Sequence, residues 1–265
     1  MFNLIYDEKI LKYFFDKILY PLEKDEVFFV SLSGRKKYLT DEEREEFQLS
    51  KTEMFERRII REYDWHRFTR TLYKYNVHDK GIVTKNGKTM PQKCLSIYMN
   101  INPASTLKAL KDFNDQMNEY QYELSRCILR GSPTDNILYR IKKADRNLMT
   151  AYQRNRSRKI WTDIDFDIPH ENINVVRFFV DQLEDHDVRY FIIKTHSGFH
   201  VLLDQTTIKY DITTSLQKTI MYSNKVMLPE DIGEIVVNKN EMIPVPGTLH
   251  ADFPVHFVDK EGERL

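Results

Sequence analysis

Hydrophobic and polar residues follow two periods along the chain, which predict a mixture of helices and strands. Apolar side chains at helical spacing predict helices over residues 7–20 and 170–183, with further helical regions after Ser105, over 133–156 and over 212–221. Short apolar runs predict strands over 27–32, 95–101, 160–166, 190–194, 200–203, 234–237, 242–245 and 255–258. Thr40 and Glu43 have the spacing of a capping box, which predicts a helix start. The order of elements indicates an α+β protein with a β-α-β-β unit over 160–203.

The strand predicted over 160–166 carries the most informative pattern, because residues 161–167 read Trp-Thr-Asp-Ile-Asp-Phe-Asp. Alternate side chains of a strand share a face, so Asp163, Asp165 and Asp167 should project together while Ile164 and Phe166 point into a core. A row of like charges costs stability, and such a row is usually kept because it holds a cation. Carboxylate oxygens are the preferred ligands of Mg²⁺ and Mn²⁺. The alternative is a half-exposed edge strand protected by acidic residues.

A polar turn separates the next two predicted strands, where residues 194–200 read Lys-Thr-His-Ser-Gly-Phe-His. Gly198 permits close backbone approach, and Lys194, Ser197 and His200 could converge on an anion such as a triphosphate. An ordinary hairpin whose polar residues face water would show the same pattern.

A third segment begins with two acidic residues, Asp231 and Glu234, next to an apolar strand. Either acid could complete a metal site. Residues 246–250 then read Pro-Gly-Thr-Leu-His, a turn that could present a hydroxyl group and His250 to phosphate. Pro-Gly turns are common, so this segment alone does not identify a site.

Charge adds a local feature to a chain that is neutral overall, with 40 basic and 40 acidic residues among 265. Any binding of a polyanion must therefore come from local patches. One basic stretch, over 140–159, leads directly into the acidic strand and includes Arg154, Arg156 and Arg158. Its position directly before the acidic strand favours a functional role, and a solvated helix face is the alternative.

Cysteine content and hydropathy indicate the cellular compartment in which we expect the protein. Cys94 and Cys127 are the two cysteines, which fits a reducing environment and excludes a four-cysteine zinc site, so we expect no zinc. The first eight residues lack the features of a signal peptide, and no apolar run has the length of a membrane span. We expect an intracellular protein without a membrane partner.

Taken in order, the segments 163–165, 197–200 and 246–250 resemble the catalytic core of the archaeo-eukaryotic primase superfamily, the primase-polymerases. Members of that family carry hydrophobic residues before Asp-x-Asp or Asp-x-Glu, then Ser-Gly followed closely by His. An acidic residue before a strand comes next, followed in many members by a Pro-x-Ser/Thr-Leu-His turn. The resemblance covers roughly residues 155–260.

The resemblance implies a two-lobed core. Residues 1–150 would form a helix-rich N-terminal α/β lobe, and residues 151–265 an RRM-like catalytic sheet with helices. The implied activity is that of a DNA primase or primase-polymerase, which transfers nucleotides from NTPs or dNTPs on a single-stranded DNA template with two Mg²⁺ or Mn²⁺ ions. The implied partners are template, primer and nucleotide, together with a helicase or accessory replication subunit. A viral or plasmid replication protein would fit this compact chain.

Each motif residue takes a role from the resemblance. Asp163, Asp165 and one of Asp231 or Glu234 would hold the metals, and the implied nucleotide-binding residues are Lys194, Ser197, Gly198, His200 and His250. Two positions depart from the family, because Pro244 and Asp252 stand where basic residues are frequent. The missing charges would come from Lys194 or from Arg35, Lys36 and Lys37, which also remain a rival template-binding patch. The resemblance further implies that the basic stretch over 140–159 follows the template backbone, with Tyr152 or Trp161 stacking on bases, while a place in the core is the alternative for Trp161.

Two other functions remain open at this point. A metal-dependent nuclease could use the same carboxylates but would not need the phosphate-binding turn at 197–200. A non-catalytic nucleic-acid-binding replication module could keep the fold without the chemistry, although the intact Asp163 and Asp165 argue against it. The preference between ribonucleotides and deoxyribonucleotides is not fixed by the motifs.

Overall fold

A computed structural model of the protein describes residues 3–76, 87–208, 233–238 and 242–265. The helices of these ranges are α1 Glu8–Lys17, α2 Asp41–Phe47, α3 Trp65–Tyr73, α4 Thr106–Leu129, α5 Asp135–Lys142, α6 Ala144–Arg154 and α7 Ile173–Glu184. The strands are β1 Glu26–Arg35, β2 Thr52–Ile60, β3 Leu95–Asn100, β4 Ala104–Ser105, β5 Trp161–Asp167, β6 Tyr190–Thr195, β7 Gly198–Asp204, β8 Glu234–Val237, β9 Met242–Pro244, β10 Leu249–His250, β11 Phe253–Pro254 and β12 His256–Val258. The prediction of a mixed α+β protein is confirmed.

Two antiparallel sheets organise the described chain. The first has the order β11-β10-β3-β1-β2, with β4 paired to β1 and β9 paired to β3. The second has the order β12-β6-β7-β5-β8. The first sheet therefore draws strands from both sides of residue 150, the boundary that we predicted between two lobes.

Side chains that alternate between the two faces of β5 position the second sheet. Ile164 and Phe166 face α7 and pack with Val176 and Phe179 in one buried cluster. The opposite face of β5 begins at Trp161, which is fully buried and packs with residues of the first sheet and α1. Burial on both faces at this end holds the two sheets together.

Trp161 and Tyr152 do not offer the base-stacking surface that we considered. The indole Nε1 of Trp161 donates to the carbonyl oxygen of Ile18 at 2.8 Å, inside the core. Tyr152 is buried against β1 together with Ala109 and Ala151. Both rings are therefore core residues, and the alternative interpretation of Trp161 is the correct one.

Local signals fixed several helix starts. Thr40 accepts from the backbone N–H of Glu43, and the Glu43 carboxylate accepts from the N–H of Thr40, so the predicted capping box is confirmed. Asp7 and Ser105 cap α1 and α4 through side-chain oxygens that accept from backbone N–H groups of the first turn. The helix predicted over 212–221 lies outside the described residues. Within the described ranges, no helix combines the length and the apolar character needed to cross a membrane.

Candidate functional site

A cavity of about 320 Å³ lies between the facing surfaces of the two sheets. The second sheet contributes the polar face of β5 and the start of β7, and the first sheet contributes β1, β2, β3, β9 and β10. Six of the predicted site residues line it, namely Arg35, Lys37, Asp165, Ser197, His200 and His250. Residues far apart in sequence thus meet at one place.

The carboxylate row of β5 runs from the core to the cavity mouth. Asp163 is completely buried, the side chain of Asp165 is 36% exposed, and Asp167 is exposed. Asp165 and Asp167 line the cavity, whereas Asp163 lies behind it. The predicted sharing of one face is confirmed, but each carboxylate has a different environment.

Asp163 is held by two side chains. Both of its oxygens lie 3.0 Å from Nδ1 of His200, and Nδ2 of Asn238 donates to Oδ2 at 2.7 Å. Asn238 also donates from Nδ2 to the carbonyl oxygen of Met242 at 3.2 Å, which links this group to β9. Asp163 therefore fixes the orientation of the His200 ring.

His200 is a buried cation at neutral pH. Burial lowers the pKa of His200, but the charges of Asp163 and Asp165 and the hydrogen bond to Asp163 outweigh that effect and raise it to about 9. Its other ring nitrogen, Nε2, lies 3.9 Å from Oδ1 of Asp165. A protonated imidazole thus stands between two carboxylates at the cavity wall.

Asp165 binds its proton more tightly than an ordinary aspartate. Burial raises the pKa of Asp165, the positive charge of His200 lowers it, and the neighbouring Asp163 and Asp167 raise it further. A divalent cation at this position would relieve that repulsion.

The opposite wall is basic and aromatic. Nη1 of Arg35 donates to the hydroxyl oxygen of Tyr98 at 3.2 Å, and this hydroxyl lies 3.1 Å from Nε2 of His250. Burial, together with the charges of Arg35 and its neighbours, holds the pKa of His250 well below its usual range, so this ring is neutral. Nδ1 of His250 is buried without a hydrogen-bond partner among the described residues.

The β6–β7 turn brings Ser197 to the cavity and leaves Lys194 away from it. Gly198 pairs with Thr195, and a Cβ atom at Gly198 would lie 1.9 Å from the carbonyl oxygen of Phe166. The close approach of β7 to the end of β5 thus requires glycine at this position. Gly198 serves the site through this backbone contact, while Lys194 is absent from the cavity lining.

Of the two candidates for the third metal-binding carboxylate, the structure describes one. Glu234 is exposed and pairs with Asp167 across the β5–β8 ladder, so the two side chains share a face. It does not line the cavity. Asp231 lies outside the described residues.

The predicted nucleic-acid-binding residues divide into three groups. Arg154 and Arg156 are exposed at the end of α6 and just beyond it. Arg158 instead donates from Nε and Nη2 to the buried Glu26 carboxylate, at 2.9 Å each, and from Nη2 to the carbonyl oxygen of Pro21. Lys36 is exposed outside the cavity that Arg35 and Lys37 line.

Several cavity residues carried no signal in the sequence. Gln153 reaches the cavity from α6, Met54 from β2 and Tyr98 from β3, and Asn238 follows β8. The strand predicted over 95–101 includes Tyr98, but the prediction did not show which residues its side chain meets. These residues belong to the site only because strand pairing and helix packing between distant parts of the chain bring them together.

The carboxylate side chains that line the cavity are of the type that binds divalent cations. Asp165 and Asp167 offer carboxylate oxygens to a polar cavity, which suits Mg²⁺ or Mn²⁺. Within 3–76, 87–208, 233–238 and 242–265, no three His, Cys, Asp or Glu side chains are grouped as a preformed metal site.

Comparison with known proteins does not assign the chain to a family. No protein-family model matches the chain, and no curated protein matches it significantly. The motifs and the geometry of the cavity are therefore the basis for a functional assignment.

Proposed function

We propose that this protein is a nucleotidyltransferase of the primase-polymerase type, with a catalytic core like that of the archaeo-eukaryotic primases. The observation that carries the proposal is the convergence of three sequence motifs in one cavity. Asp165, His200 and His250, each from a different motif, line it together with basic residues of β1 and the segment that follows it. If the acidic strand were an ordinary edge strand and the polar turn an ordinary hairpin, these residues would have no reason to line one cavity.

The order of strands supports an RRM-like catalytic sheet. Numbered along the chain, β5, β6, β7 and β8 lie in the order 4-1-3-2 across the sheet, with α7 between the first two strands. This is the order of a ferredoxin- or RRM-like sheet. The strand β12 extends it beside β6.

We assign the metal-holding role chiefly to Asp165 and Asp167, the two carboxylates that line the cavity. Glu234, opposite Asp167, or Asp231 would complete the ligands at the mouth. When bound, two divalent cations lower the pKa of the attacking hydroxyl group and neutralise the leaving pyrophosphate. Asp163, engaged with His200 and Asn238, positions the imidazolium.

The basic wall suits the triphosphate. Arg35 and Lys37 present positive charge to the cavity, Ser197 offers a hydroxyl group, and the His200 imidazolium can donate from Nε2. Charge-assisted hydrogen bonds to phosphate are the strongest of these contacts. The substrates are accordingly NTPs or dNTPs, and the partners are a single-stranded DNA template and a primer.

Template-dependent synthesis with labelled nucleotides in Mg²⁺ and in Mn²⁺, with and without a primer, tests the proposal. Asp165→Asn removes a charged metal ligand without changing its shape, and we expect synthesis to fall by about 100-fold or more, equivalent to about 2.7 kcal/mol of barrier. The control is Asp187→Asn, an equal neutralisation at an exposed turn after α7.

The assay also separates the competing functions. A nuclease would cleave the labelled strand without incorporating nucleotide. A non-catalytic module would bind DNA and do neither. Full synthesis by Asp165→Asn would remove Asp165 from the metal site.

A further inference from the structure

The cavity is polarised along β5. Lys37 and His196, the neighbour of Ser197, both lie against the ring of Tyr38, which places Lys37 near the β6–β7 turn. Asn238, which bonds Asp163, also bonds Met242, and Met242 contacts Gln153, which places these uncharged lining residues near Asp163. Asp163 to Asp167 span about 13 Å of extended strand. A ligand lying along β5 would therefore meet two chemically different ends.

The charged end is built around Tyr38. Nζ of Lys37 lies 5.1 Å from the centre of the Tyr38 ring, and the ring of His196 lies 4.6 Å from it. The Tyr38 hydroxyl is 3.4 Å from Nε2 of His250. With Arg35 beside His250, this end carries the positive charge and the polar N–H and O–H groups that bind phosphate.

The uncharged end is built around Met242. Nε2 of Gln153 lies 3.1 Å from Sδ of Met242, and Asn238 donates to the carbonyl oxygen of Met242. Met54 packs against the same buried cluster as Met242. Thioethers adapt their shape and contact aromatic rings favourably, and a glutamine amide both donates and accepts hydrogen bonds.

We infer that the nucleotide lies along β5 with its triphosphate at Lys37 and its base and sugar at Met54, Gln153 and Met242. The inference rests on the proposed function and adds to it the orientation of the nucleotide and the residues that contact the nucleoside. Gln153 is the residue that hydrogen-bonds the nucleoside. A cavity of about 320 Å³ falls at the lower end of the range for small-molecule sites, which suits one nucleotide.

The neighbourhood of Gln153 agrees with this orientation. Gln153 precedes the exposed Arg154 on α6, in the basic stretch over 140–159. A template strand bound to that stretch would lie at the end of the cavity where the base of an incoming nucleotide must be read. The opposite orientation would separate the base from this strand.

Binding of two probes, ATP and inorganic tripolyphosphate, each with Mn²⁺ and without DNA, tests the orientation. Gln153→Ala should weaken ATP binding by about two- to tenfold, the effect of losing a neutral hydrogen bond, and leave tripolyphosphate binding unchanged. Lys37→Ala should weaken both probes by about ten- to a hundredfold, because it removes a charged contact to phosphate. Alanine favours helix, so Gln153→Ala should keep α6 intact, which thermal melting checks.

Gln121→Ala, the same change at an exposed position of α4, is the matched control and should alter neither affinity. ATP affinity that is unchanged in Gln153→Ala, or an equal loss for ATP and tripolyphosphate, would overturn the orientation. If the unmodified protein binds neither probe, the proposed function itself fails.

Discussion

His200 is the residue that connects the buried and the open parts of the site. One ring nitrogen bonds Asp163 in the core, and the other faces Asp165 at the cavity. Its positive charge offsets part of the repulsion among the carboxylates of β5. The residue that we expected to bind phosphate therefore also determines whether the acidic row is tolerated.

We predict that the fold loses stability between about pH 6.5 and 9 because His200 loses its proton. The folded state raises the pKa of His200 from 6.5 to about 9, so its contribution is complete below pH 6.5 and disappears as the pH passes 9. The free energy of unfolding, from urea titrations in EDTA, should fall by up to about 1.4 kcal/mol per pH unit in this window.

His200→Gln is the control, since a neutral side chain should abolish the slope between pH 6.5 and about 8. Burial lowers the pKa values of His170, His196, His250 and His256, so these rings affect stability at lower pH. Burial raises the pKa of the Cys94 thiol, which therefore adds to the slope above about pH 8 in both proteins. A stability independent of pH from 6.5 to 9 in the unmodified protein would show that His200 is not a buried cation.

The sequence could predict the shared face of the three aspartates but not their separate roles. Alternation along β5 follows from strand geometry alone. The burial of Asp163 depends on Asn238, which reaches it from beyond β8, and on His200 from β7. Those neighbours come from strand pairing across 37 and 75 residues, which no local pattern encodes.

The β6–β7 hairpin is the element that places the second motif against the first. Its ladder pairs Thr195 with Gly198, and the strand that begins at Gly198 pairs along the whole of β5. The missing side chain at Gly198 lets this corner lie against the carbonyl oxygen of Phe166. The distance between the carboxylate row and His200 depends on that fit.

We predict that Gly198→Ala destabilises the protein by about 3 kcal/mol or more and weakens Mn²⁺-dependent nucleotide binding. A methyl group would clash with the backbone of β5 and impose a backbone angle, φ of 155°, that alanine rarely adopts. Thermal or urea unfolding gives the stability change. Gly131→Ala, at a glycine with φ of 64° and open space around it, is the control and should cost about 1–2 kcal/mol.

A similar loss of stability in the two alanine variants would mean that the backbone around Gly198 shifts readily to accommodate a methyl group. The close approach of β7 to β5 would then not be what positions the site.

Predictability differed among the elements for physical reasons. Capped helices with apolar stripes, such as α1, were found because their signals are local. The strand β2 was missed because charged residues interrupt it and, before Ile60, no side chain in it is fully buried. The helix α3 was missed although Asp64 caps it and Phe68 and Leu72 face the core. This cap and the four-residue spacing of the two apolar residues predict a short helix.

At the scale of the whole molecule, one stretch of the chain is strongly basic. Residues 140–159 contain eight basic side chains and one acidic side chain in a chain of zero net charge. The structure removes Arg158 from this set, because its guanidinium group is engaged by the buried Glu26. Arg154 and Arg156 remain exposed next to the helix that carries Gln153.

We predict that neutralising Arg154 and Arg156 together weakens single-stranded DNA binding. The slope of log affinity against log salt should flatten by about 0.7 for each DNA phosphate that the variant no longer neutralises. Nucleotide binding at the cavity should change little, because neither residue lines it. Fluorescence titrations of a labelled oligonucleotide over a salt series measure the slope.

Arg70→Ala with Lys74→Ala removes the same charge from the exposed end of α3 and serves as the control. An unaltered slope in the Arg154 and Arg156 variant would favour the rival patch over 35–37. Arg158→Ala should be avoided in this test, because leaving a buried carboxylate unpaired costs about 3–5 kcal/mol of stability.

The pairing of β3 with β9 and β10 also sets the order in which the molecule can be assembled during synthesis. About 145 residues separate Met99 from its partner Ile243, so this pairing must close a very long loop. Until residues 242–254 have left the ribosome, one edge of β3 has no partner and remains open to other chains. The cavity is thus among the last features to form, and a nascent chain that still lacks residues 242–254 leaves this edge of β3 open to aggregation.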